Sequence, residues 1–189
     1  MKDIAKIILL ALTAYKAEAV ASDKCVCLAF SSGNQQVAYQ AGVLKTLASK
    51  LPEAERSYTH VSGVGGGAVN AAILANFGQG LEDKAAAKME DFWTKSGNAS
   101  LWHNWPLGVA HGLMKKGGVY NNAATLDFIR DNLADVKPMQ RWVNVGITDV
   151  LHGAYVEILQ DYLQGENFFQ TMFASFAQPF FFEPVKYNG

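Results

Sequence analysis

The 189-residue sequence predicts an α/β domain with a largely parallel central sheet. Three observations carry that expectation. Strand-like and helix-like stretches alternate along the chain, the order that feeds a parallel sheet through helical crossovers. "CVCLAF", Cys25–Phe30, is a continuous apolar run of the kind buried on both faces of such a sheet. "VSGVGGGAVNAAILA", Val61–Ala75, reads as a strand, a sharp glycine turn and a helix. Composition agrees, because 50% hydrophobic and 17% charged residues suit one globular domain with a sizeable core.

The elements follow in order. After the first strand comes a polar loop, "SSGNQQV", then a helix over "AYQAGVLKTLASK" with Tyr39, Val43, Leu44 and Leu47 on its apolar face. Pro52 punctuates the chain before a strand at "YTHVS". The helix "AVNAAILANF" aligns Val69, Ala72, Ile73 and Phe77, and "LEDKAAAKMEDFW" aligns Leu81, Ala85, Met89 and Phe92. Residues 96–119, rich in Gly, Trp and His, read as an irregular excursion. "ATLDFIRDNL" is a short amphipathic helix through Leu126, Ile129 and Leu133. "WVNVGITDV" and "GAYVEIL" are strands joined by a turn at His152-Gly153. "NFFQTMFASFAQ" reads as helical, ending at Pro179.

The first 21 residues have the layout of a secretory signal peptide. Lys2 and Lys6 precede an apolar run from Ile7 to Tyr15, and Ala19 and Ala21 stand as in a cleavage site before Ser22. That run is far short of the roughly 20 residues needed to span a bilayer. The expected division is therefore a signal peptide over 1–21 and one domain over 22–189, secreted or delivered to a secretory or endolysosomal lumen. The alternative is an amphipathic first helix of the domain. Cys25 and Cys27 point to one face of a strand, where extended backbone disfavours a disulfide between them. They are expected as small apolar core residues, with no zinc set apparent near them. "NAS", Asn98–Ser100, is a glycosylation sequon. A formal net charge of −1 gives no basic face for nucleic acid, and neither a metal nor a cofactor is expected.

Reactive serines at strand-to-helix elbows occur as G-x-S-x-G, where glycines permit a strained turn and the helix N-terminus favours developing negative charge. Here Gly63-Val64-Gly65-Gly66-Gly67 keeps the outer glycines and puts Gly65 at the apex. Taken with "LAFSSGNQQVAYQAGVLKTL", this resembles the patatin-like phospholipases and lipid acyl hydrolases. Ala38, Tyr39, Gly42, Val43 and Leu44 match the family's first helix. Gly63, Gly67, Ala68, Asn70 and Ala71 match its elbow. "GITDVLHG" is similar through Thr148, Asp149 and Gly153, and "ASFAQPFFFEPVKYNG" through Ala174, Ser175, Pro179, Phe182, Pro184 and Val185. The resemblance spans Cys25–Gly189 and implies a three-layer α/β/α domain with a Ser-Asp dyad acting on lipid esters.

Position by position, the resemblance puts the nucleophile at Gly65, which offers no oxygen, sulfur or nitrogen for a covalent intermediate. The oxyanion loop maps to Ser32, Gly33, Asn34, Gln35, Gln36 and Val37, keeping only Gly33 of its glycines. Asn34 and Val37 are expected to fit poorly where positive φ is wanted. Gln36 cannot supply the charge of the arginine it replaces. The base belongs to an Asp-Gly-Gly or Asp-Gly-Ala motif beyond the last matched segment, so the domain reads as truncated at its C-terminal end. Asp149 is a strand-end residue outside the dyad.

The resulting expectation is a catalytically inactive homologue of lipid acyl hydrolases, with a lipid or membrane surface as its partner. Two alternatives stand beside it. In the first, Phe168, Phe169, Phe173, Phe176 and Phe180–Phe182 with Trp102 and Trp105 serve a non-catalytic lipid-binding module, although core packing is the favoured use of these rings. The second takes Gly63, Gly65 and Ala68 as a dinucleotide fingerprint, with Glu82 or Asp83 as ribose ligand. His60, His103, His111 and His152 are scattered and form no triad by spacing.

Overall fold

A computed structural model describes residues 25–135 and 139–186, so the expected signal segment lies outside the described residues. The first half runs β1 (Cys27–Phe30), a 3-10 turn (Asn34–Ala38), α1 (Tyr39–Lys50), α2 (Glu53–Arg56), β2 (His60–Val64), α3 (Gly66–Asn76) and α4 (Glu82–Asn98). Next come β3 (His103–Asn104), α5 (Gly108–His111), a π turn (Gly112–Lys116), β4 (Gly118–Asn121) and α6 (Ala123–Leu133). The chain continues through β5 (Trp142–Asp149), β6 (Ala154–Leu159), α7 (Gly165–Phe176) and β7 (Phe180–Phe182). The main sheet has the order β1-β2-β5-β6. Its first three strands are parallel, and β6 returns antiparallel through the expected hairpin. The fold is therefore mixed α/β with a mostly parallel sheet, the class read from the sequence. No described helix is long and apolar enough to cross a membrane.

α3 sits at the centre. Every residue from Gly66 to Ala75 is buried, because the helix lies on β1, β2 and β5 while α4 and α7 pack against it. A helix apolar all round belongs inside. Its small side chains, Ala68, Ala71, Ala72 and Ala75, let the surrounding elements approach closely. Val61, Val143 and Val145 face it from the sheet, Ala85, Met89 and Phe92 from α4, and Phe168, Met172 and Phe173 from α7.

Four expectations are corrected. β1 is an edge strand, not one buried on both faces: Phe30 is buried, while Cys27 and Ala29 are exposed. Cys25 and Cys27 are therefore exposed free thiols and not core residues. The face of α1 also turns, burying Ala41 and Leu44 and leaving Tyr39 and Val43 exposed, because the helix packs on α4 and not under the sheet. Finally, the 96–119 stretch is not wholly irregular, since β3 and β4 join β7 in a second, three-stranded sheet.

A buried ion pair fastens the end of the sheet where β5 begins. Glu82 is fully buried and accepts hydrogen bonds from Arg141 Nη2 at 2.6 Å and Arg56 Nη1 at 2.8 Å. Arg141 also donates to the carbonyls of Tyr58, Phe77 and Gly78, each at 2.7 Å. Guanidinium and carboxylate are thus satisfied on several sides, which a buried charge pair requires. Tyr58, beside this pair, has its phenol pushed up by burial first and by the Glu82 carboxylate second.

Candidate functional site

The elbow forms as the sequence order dictates. β2 ends at Val64, α3 begins at Gly66, and Gly65 alone makes the turn with φ 62° and ψ −133°. That is a backbone conformation essentially reserved for glycine or for a strained functional residue. Glycine is needed on both sides for a different reason. A Cβ at Gly63 would collide with the backbone of Gly67, and one at Gly67 with the carbonyls of Phe30 and Ser31. The helix therefore starts in direct backbone contact with the ends of β1 and β2.

The loop over the apex comes from the residues after β1. A Cβ placed on Gly65 would overlap Ser32 Oγ and lie 3.0 Å from Ser32 Cβ. The Ser32 side chain thus fills the space a side chain at the apex would enter. Gly33 is extended, and Asn34 has φ 50°. The expected misfit at Asn34 is not seen, because asparagine tolerates the left-handed region better than other non-glycine residues. Val37 is not left-handed; its side chain is buried against Gly66, at the start of α3.

Two polar bridges hold this arrangement. Ser175 Oγ accepts the Gly65 N–H at 2.8 Å and donates to the Gly146 carbonyl at 2.7 Å, tying the apex to β5 through α7. Asn70, fully buried, donates to the Val37 carbonyl at 3.1 Å and to Gln40 Oε1 at 2.8 Å. Its own Oδ1 accepts Trp93 Nε1–H at 2.7 Å, and Gln40 donates onward to the Ser31 carbonyl at 2.8 Å. Asn70 and Ser175 lie in the matched segments, but sequence alone did not give them these roles. With the Gly65 N–H held by Ser175, that donor is already spoken for.

A groove of about 400 Å³ opens beside the loop, between β1 and α1. Leu28, Phe30, Tyr39, Val43 and Leu47 supply its apolar lining, and Ser31, Ser32, Gln36 and Gln40 its polar lining. Of the aromatic residues singled out from sequence, Phe168, Phe173 and Trp105 are core, while Trp102, Phe180 and Phe181 are exposed. None of them lines this groove.

The remaining candidates disperse. Asp149 ends β5, as anticipated, and its Oδ2 lies 2.6 Å from His152 Nδ1. His152 holds that carboxyl below the usual carboxylate range, helped by the backbone N–H groups of Leu151 and His152. His103 lies in β3, and His111 sits edge-on to Trp105. Asp83 opens α4 and does not end a strand, and the Glu82 carboxylate is taken up by Arg56 and Arg141, which leaves it badly placed for a ribose. His60, by contrast, lies against Cys25, a juxtaposition the sequence did not reveal.

Comparison with curated proteins found no match. A family model described as patatin-like phospholipase matches residues 28–189, from β1 through both sheets to the last residue of the sequence. The match takes in the elbow, the loop above it and the bridges that brace them, and the chain belongs to the patatin-like phospholipase family.

Proposed function

We propose that this chain is a non-hydrolysing member of its family, related by descent to lipid acyl hydrolases and working in lipid metabolism by binding and not by turnover. One observation carries the reading: the apex of the elbow is Gly65, and the space above it is filled by Ser32. Covalent acyl transfer needs an atom with a lone pair at the apex. Ser32 is no substitute, since it lies on the loop and not at the strained turn that drives a nucleophile toward substrate. The signal-like N-terminus supports a secretory or endolysosomal setting.

The test is release of fatty acid from a fluorogenic phospholipid and a short-chain ester. The purified protein is compared with a nucleophile-less variant of an active family member. Signal at that background is expected. Turnover clearly above it would sink the reading and identify a nucleophile elsewhere.

A second reading is favoured by the groove. Its mixed lining, apolar side chains beside Ser31, Ser32, Gln36 and Gln40, suits an acyl chain with a carboxyl or ester head. A fluorescent fatty acid should bind the protein without being consumed, and Val43→Trp should displace it by filling the groove. Equal binding by parent and variant would count against that site.

A further inference from the structure

At the end of the main sheet away from the elbow, three ligand atoms meet on one exposed face. The parallel pairing of β1 with β2 puts Cys27 directly beside His60, and Cys25, two residues before Cys27, falls on the same face. Cys25 Sγ lies 3.8 Å from Cys27 Sγ and 3.0 Å from His60 Nδ1. All three ligand atoms are within 4.8 Å of one another. From His60 to the apex of the elbow is five residues of chain, about 16 Å.

We propose that Cys25, Cys27 and His60 form a binding site for a thiophilic divalent metal ion of the zinc class, with the fourth position open to solvent. Two thiolates on one tetrahedral zinc ion, each about 2.3 Å from the metal, stand about 3.8 Å apart. That is the spacing the two cysteines have. The histidine nitrogen is about half an ångström inside the sulfur–nitrogen spacing of such a site on the Cys25 side, and it lies within 4.8 Å of Cys27 Sγ, so rotation of the exposed ring adjusts both. A disulfide would need the sulfurs to close to about 2.05 Å across an extended stretch that disfavours it, and both thiols are free.

The surroundings orient the ligands. Trp142, the residue of β5 paired with His60, stacks on the imidazole with ring centroids 6.2 Å apart and planes within 11°. The Thr59 hydroxyl lies 3.0 Å from His60 Nδ1 and 3.2 Å from Cys25 Sγ, inside the cluster. The Trp142 ring keeps the imidazole beside the sulfurs, and the Thr59 hydroxyl, which shares Nδ1 and Cys25 Sγ with the proposed ion, turns aside when the ion binds. All three ligands are exposed, so an ion reaches them directly from solvent. Two sulfurs and an imidazole select zinc over the oxygen-seeking calcium and magnesium. Bound there, the ion would fasten β1, the edge strand of the sheet among the described residues, to β2.

The experiment is a cobalt titration of the full chain, reduced and stripped of metal. One equivalent of Co²⁺ should give the intense visible bands of tetrahedral cobalt and a sulfur-to-cobalt charge-transfer band, and Zn²⁺ should erase both. Cys27→Ser and His60→Ala should each weaken zinc binding by about a hundredfold or more, and Trp142→Ala by about tenfold. Circular dichroism and the melting temperature of the metal-free variants keep a folding defect distinguishable, since the substituted ligands are exposed. Only the weak spectrum of octahedral cobalt in the parent protein would overturn the proposal. A tetrahedral spectrum surviving in the Cys25→Ser/Cys27→Ser double variant would overturn it as well.

Discussion

Replacing Gly65 with alanine tests the elbow and its covering loop together. The backbone at φ 62°, ψ −133° disfavours any side chain, by about 1–3 kcal/mol. The new Cβ also meets Ser32, whose Oγ can swing away by rotation but whose Cβ remains 3.0 Å off. Residual overpacking of that kind costs about 1–3 kcal/mol. The unfolded chain loses some freedom when alanine replaces glycine, which returns about 0.4–1 kcal/mol. A net destabilisation of about 2–4 kcal/mol follows, or a fall in Tm of about 4–12 °C for a chain of this size. Urea unfolding followed by circular dichroism measures it. Ser32→Gly in the same background should recover about 1 kcal/mol, read as the coupling in a double-mutant cycle. If Gly65→Ala lies within about 0.5 kcal/mol of the parent, or if the coupling vanishes, then Ser32 does not occupy the apex space as described. Gly65→Ser on the 189-residue chain should be destabilised in the same way and stay at background in the fatty-acid assay, because that sequence contains no Asp-Gly pair to supply the family's base.

Other predictions probe the scaffold. Glu82→Ala strands Arg141 as a buried unpaired cation and should cost about 3–5 kcal/mol in urea unfolding; a loss below about 1 kcal/mol would mean that water replaces the carboxylate. Trp93→Phe leaves Asn70 Oδ1 without its 2.7 Å donor and should cost about 1–3 kcal/mol, with faster amide exchange in the loop from Ser31 to Val37. For Asp149, the folded carboxyl titrates below its unfolded value of about 3.9, so its contribution is complete above that pH and is lost as pH falls through the folded value. Protection of the β5–β6 turn amides, measured against their intrinsic exchange rate at each pH, should therefore fall below about pH 4, and Asp149→Asn should flatten that dependence.

Periodicity made much of the fold legible. The β5–β6 hairpin announces itself by two apolar runs around His152-Gly153, and the Ile129–Leu133 face of α6 by its helical spacing. Patterns within one segment report which residues share a face. They do not report which neighbouring segment that face meets. The error at β1 came from this gap: "CVCLAF" is apolar throughout, yet its place at the sheet edge exposes Cys27 and Ala29. The same limit hid His60 from the cysteines. Strand alternation puts Cys25 and Cys27 on a common face, but only the pairing register with β2, more than thirty residues later, decides that His60 shares it. Arg141 was hidden likewise, since its partner Glu82 lies 59 residues away.

The elbow shows a further limit, because Ser32 and Gly65, two of the positions that differ from the pattern the resemblance expects, look independent in sequence and are coupled in space. The resemblance expects glycine where Ser32 stands and serine where Gly65 stands. In the fold these positions face each other, and the side chain carried by one occupies the volume vacated at the other. Each change makes the other easier to accept. With glycine at the apex, Ser32 has room above it; with Ser32 present, a side chain at the apex is opposed by overlap as well as by backbone strain. The pair thus opposes the introduction of a side chain at Gly65 by a single substitution.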